Sequence, residues 1–112
     1  MAAKHTTYYD KSRYPRIHLF GEAFYDSRGM QLGWLTLDSI QNMRGAVVGW
    51  MKEDMLYDRS GFVVARRGQT VTINRGLPLG RPNPSGRLGK PAFSPSWSDV
   101  DPSQLFESDM MD

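Results

Sequence analysis

The sequence contains no cysteine, which excludes a disulfide framework, a thiolate nucleophile and any cysteine-held metal. Histidine occurs only at His5 and His18, and nothing beside either supplies the oriented partner that a catalytic imidazole needs. No apolar run approaches the roughly eighteen residues that read as a membrane span. Met1-Ala2-Ala3-Lys4-His5 lacks the apolar core of a secretory signal. These absences lead us to expect a soluble, cytoplasmic protein with no transmembrane segment, no catalytic residues, no metal site and no cofactor. With 112 residues there is room for one domain and a modest core.

Charge is nearly balanced overall but divided along the chain. Residues 1–58 carry as many basic as acidic side chains. From Arg59 to Lys90 seven basic residues occur with no acid, and five acidic residues follow between Asp99 and Asp112. A basic stretch ahead of an acidic end can neutralise itself, or each half can face its own partner.

What the sequence does have is an internal repeat. Residues 23–34, 39–50 and 55–66 align sixteen apart, and a degraded copy follows at residues 71–81. Asp26, Asn42, Asp58 and Asn74 open the turn of each copy, with Gly29, Gly45, Gly61 and Gly76 behind them. An Asx side chain can bond the backbone two residues on, and glycine takes the positive φ that closes a hairpin. Aromatic and β-branched residues flank the turns, as strands prefer. The links between copies, such as Thr36-Leu37-Asp38 and Arg67-Gly68-Gln69-Thr70, are too short for helices. Hence the fold class is all-β: a pseudo-fourfold closed ring, or shallow barrel, of four β-hairpins over residues 16–82. Closure leaves no bare sheet edge. Gly33, Gly49, Ala65 and Gly80 form a column of small residues where strands crowd or bend. Arg16-Ile17-His18-Leu19-Phe20 alternates as an additional, closing strand, and residues 1–15 read as a flexible arm.

Residues 83–112 read as an extended, Pro/Gly-rich tail. It ends in a short helix near residues 102–107, with Asp101 as N-cap, Pro102 at the first helical position and Gln104 completing a capping box. Trp97, Leu105 and Phe106 give the tail apolar anchors for docking, on its own domain or on a neighbour.

The recurring Asx-x-x-Gly turn, the Gly-Trp pairs at 33–34 and 49–50, and the tail with Trp97, Pro102, Leu105 and Phe106 resemble the four-fold β-flower family of small, mainly bacterial and phage-type proteins. The resemblance implies a ring of hairpins around a central apolar channel. It implies no activity and no catalytic set. Ile73, the shortened turn and Pro78 depart from the pattern in the fourth copy.

Candidate chemistry is sparse. The Asx ring offers oxygen ligands of the kind calcium takes, but turn chemistry alone accounts for these residues. Trp34 and Trp50 share one repeat position with Arg66 and Arg81. Together they would make a half-aromatic, half-cationic face for an anionic or flat ligand, unless the tryptophans are core and the arginines extend into solvent. The expected function is a non-catalytic binding module. It would capture a protein partner or a small anionic or aromatic ligand at the ring face or channel. Two alternatives stand beside it: a nucleic-acid-associated protein acting through residues 59–90, and a structural oligomer assembled through the tail.

Overall fold

The computed structural model describes residues 2–74 and 91–107. Eight antiparallel strands close into one barrel in sequence order, the last pairing with the first. They are β1 (Ala2–Tyr9), β2 (Pro15–Phe20), β3 (Ala23–Asp26), β4 (Gln31–Thr36), β5 (Ser39–Asn42), β6 (Val47–Lys52), β7 (Met55–Asp58) and β8 (Val63–Asn74). One helical turn, α1 (Pro102–Leu105), follows in the C-terminal segment.

The ring of hairpins is as expected, but its membership shifts by one copy. Residues 1–15 are not a loose arm: Ala2–Tyr9 is β1, paired to β2 on one side and β8 on the other. The expected link at residues 67–70 does not turn, because β8 runs unbroken from Val63 to Asn74. The first strand of the degraded copy is therefore the far end of β8, paired with β1. The rest of that copy, including Gly76, Gly80 and Arg81, lies outside the described residues. The fourth hairpin is β1–β2, which turns at Asp10, sixteen residues before Asp26.

All four turns are built alike. The backbone N–H groups of Ser12, Arg28, Arg44 and Ser60 donate to the Oδ1 of Asp10, Asp26, Asn42 and Asp58 at 2.9 Å. Those of Tyr14, Met30, Ala46 and Phe62 donate to the same oxygens at 3.0 Å. The residue three after the Asx is left-handed: Gly29, Gly45 and Gly61 at φ 91°, 88° and 92°, and Arg13 at 69°. The missing glycine is why the Asp10 copy is hard to recognise in sequence.

A bulge follows each turn, at Tyr8/Tyr9, Phe24/Tyr25, Ile40/Gln41 and Leu56/Tyr57. It adds one unpaired residue to the returning strand: Arg16, Leu32, Val48 and Val64. The hub is the repeat position Tyr8, Phe24, Ile40 and Leu56, all at most 2% exposed. Val48, Val64, Leu105 and Phe106 join the same cluster, with Leu32 packed against it. The central channel implied by the resemblance is thus filled with side chains. Gly33 and Gly49 sit where backbones touch, since a Cβ there would meet the Gln41 and Tyr57 carbonyl oxygens at 1.9 and 2.1 Å.

Candidate functional site

The bulged position is where the fourfold pattern breaks chemically. Three hairpins place leucine or valine there, and the first places Arg16. A guanidinium at the end of an apolar barrel needs anions, and Arg16 has two. Its Nη1 donates to Asp10 Oδ2 at 3.0 Å, and its fork takes Asp101 at 3.1 and 2.6 Å. The hydrogen bonds it donates to Asp101 lead in raising the Arg16 pKa. Burial alone would push the Asp10 carboxyl up. The Tyr14 N–H, the Arg16 guanidinium and the Ser12 N–H outweigh it and hold that carboxyl below its usual range.

Asp101 belongs to the tail, which lies across this end of the barrel. Val63 donates its N–H to the Ser96 carbonyl at 2.9 Å and accepts the Ser98 N–H at 2.7 Å. Ser94 N–H reaches the Gly61 carbonyl at 2.9 Å. The Ser98 hydroxyl donates to Asp58 Oδ2 at 2.5 Å, using the oxygen that the turn leaves over. Further along, α1 packs on β2 and β8. Leu105 is 1% exposed, and the Phe106 ring lies 5.5 Å from that of Phe24. Of the expected docking residues, Leu105 and Phe106 enter the core and Trp97 bridges Val63. Sequence reasoning missed Phe93, whose ring sits 4.6 Å from Tyr57 with Lys52 over it. It also missed the Arg16–Asp101 pair, which spans 85 residues. A cleft of about 260 Å³, lined by Asp10, Ser12, Arg16, Trp97, Val100 and Asp101, opens beside the tail.

The expected aromatic–cationic face is assembled differently. Trp34, Trp50 and Arg66 do occupy one register position, opposite Ala23, Ser39 and Met55. The residue at that position in the first hairpin is His18, opposite Thr7. Arg81 lies outside the described residues. Trp34 and Trp50 are each only 4% exposed, Trp34 packing in a cluster with Ala23, Tyr25, Phe20 and Met43. Their ring faces are covered and unavailable for stacking, while Arg66 is exposed.

Four Asx turns at sixteen-residue spacing around one closed ring, with the tail across its end, are the architecture that a family comparison recognises. The model of the 4-fold beta flower protein family matches residues 6–106. The chain belongs to this family. No match is found among curated proteins or among solved structures.

In this β-flower the Asx side chains are hydrogen-bonded within their turns, and among the described residues no three His, Asp or Glu side chains converge. No helix among the described residues is long and apolar enough to cross a membrane. The two histidines, far apart in the sequence reading, meet on the petal between β1 and β2. His5 Nε2 and His18 Nδ1 are 2.8 Å apart, and Thr7 Oγ1 is 3.3 and 3.4 Å from them. Burial, with the neighbouring His5 adding to it, pushes the His18 pKa down, while Asp26 acts the other way.

Proposed function

We propose that this β-flower is a non-catalytic binding module that captures a protein partner on the end of the barrel where its own tail lies. The observation that carries this reading is the way residues 91–107 sit there. They make backbone hydrogen bonds to Val63 and Gly61, a charge pair to Arg16, and a Leu-Phe pair buried against the hub. That is the chemistry of an extended peptide held through its backbone at the end of the barrel, with pockets for its anchors.

A partner for this face carries a stretch of small polar residues, an aspartate for Arg16, and an aliphatic–aromatic pair four and five residues further on. The resident tail is a competitor. Tethered to the barrel, it acts at an effective concentration on the order of millimolar, so a partner binds by displacing it. The nucleic-acid reading rests on residues 59–90, of which 75–90 lie outside the described residues.

The test uses full chains and a fluorescent peptide with the sequence of residues 91–107. Leu105→Ala/Phe106→Ala weakens the resident tail and vacates its place over the hub, with far-UV circular dichroism checking that the barrel stays folded. Anisotropy should show this chain binding the peptide at least about tenfold more tightly than the unmodified chain, since the peptide keeps its own anchors. Adding Arg16→Met should reduce that binding. If the double variant binds no peptide, the end of the barrel is not a docking face.

A further inference from the structure

The geometry points to a binding site for a divalent late first-row transition-metal ion, held by His5, His18 and Thr7 on the outer surface of the β1–β2 petal. It is independent of the tail-covered end. Three donor atoms face one another: His5 Nε2 and His18 Nδ1 at 2.8 Å, with Thr7 Oγ1 at 3.3 and 3.4 Å. A triangle of that size has a point above its plane about 2 Å from all three corners. That is the bond length from zinc to imidazole nitrogen or to oxygen. One coordination position is left for water.

The surroundings suit ligands more than a simple packing pair. A metal-bound histidine directs its other ring N–H to an oxygen, and the other nitrogen of His18, Nε2, has Ser27 Oγ at 3.5 Å. The His5 ring lies parallel to Phe20, with centroids 4.3 Å apart and planes 12° from each other, which limits its rotation. Both histidines are half-buried. Without metal, one nitrogen of the facing pair donates to the other. Binding moves that proton to the outer nitrogen of the donor ring, so both inner lone pairs reach the ion. Two imidazoles and one hydroxyl, with no thiolate, favour cobalt, nickel, copper or zinc over magnesium or calcium.

β1 pairs with β8 to close the ring, so the ion would brace the β1–β2 hairpin beside that seam. Neither histidine reads as a ligand in sequence, because the residues around His5 look like a loose arm.

The experiment titrates the full chain, stripped with chelator, with cobalt(II) chloride. The expected result is one equivalent bound, a saturable visible absorption band, and displacement of that band by zinc. His5→Gln and His18→Gln should each weaken binding by at least about tenfold, and Thr7→Val by a smaller factor. NMR of the unmodified chain needs no variant: cobalt should shift the ring C–H resonances of His5 and His18 first. Absence of a saturable band overturns the proposal. So does a cobalt shift appearing first at the acidic tail.

Discussion

Gly33→Ala should come close to dissolving the ring, and its cost can be worked from the backbone. A Cβ at residue 33 would lie 1.9 Å from the Gln41 carbonyl oxygen, 2.9 Å from its carbon and 3.0 Å from the Asn42 Cα. A tolerable carbon–oxygen approach is about 3.3 Å, so β4 and β5 must part by more than roughly an ångström from their spacing of about 4.8 Å. No rotamer change helps, because the obstacle is main chain. Overpacking costs about 1–3 kcal/mol, and each ladder hydrogen bond lost adds about 1 kcal/mol. The expected loss is roughly 3–5 kcal/mol, out of a total of about 5–15 kcal/mol for a domain of this kind. Urea unfolding followed by far-UV circular dichroism reads it as a lower midpoint at unchanged slope. Ala65→Gly is the control at the same repeat position. It loses one buried methyl, about 0.8 kcal/mol, and adds a glycine entropy cost of about 0.5–1 kcal/mol. If Gly33→Ala costs less than Ala65→Gly, the close-approach argument is refuted.

Arg13 holds φ 69° where the other three turns have glycine, so Arg13→Gly should stabilise by about 1 kcal/mol, seen as a higher urea midpoint. An unchanged or lower midpoint would show that the turn carries no left-handed strain. The Tyr8 pKa is pushed up to about 12, chiefly by burial. A group that stays neutral longer in the folded state contributes stability below its unfolded pKa and loses it as pH rises through the folded one. Stability should therefore fall between about pH 10 and pH 12, with tyrosinate absorbance appearing on unfolding. Tyr8→Phe should remove most of that fall. Persistence of the full fall in the variant would assign it to another group.

Much of the ring is legible in the residues themselves. The three turns at Asp26, Asn42 and Asp58 are where sequence reasoning puts them, since each is a closed local device. Eight residues of β1 were unreadable for the complementary reason: their partners are β2 and the far end of β8, and a strand on its own shows only weak alternation. Asp10 carries the same turn, but arginine in place of glycine hides it, and the degraded copy at Asn74 attracts the assignment instead. The candidate site fared similarly. Leu105 and Phe106 stand out as anchors by apolar character alone. Arg16 does not, because a charged residue near the start of a strand ordinarily points to water.

By itself, then, the sequence determined how the chain bends: a side-chain oxygen two and four residues from its N–H donors, and a left-handed residue between, act over a handful of bonds. Only the tertiary structure decided which bends share a ring and what closes it. Pairing β1 with β8 brings together residues about sixty positions apart. It is selected by burying Tyr8 beside Phe24, Ile40 and Leu56. Docking of the tail sets Arg16 against Asp101 across 85 residues, a contact to which no local pattern contributes, whereas His5 meets His18 through the register of the β1–β2 hairpin.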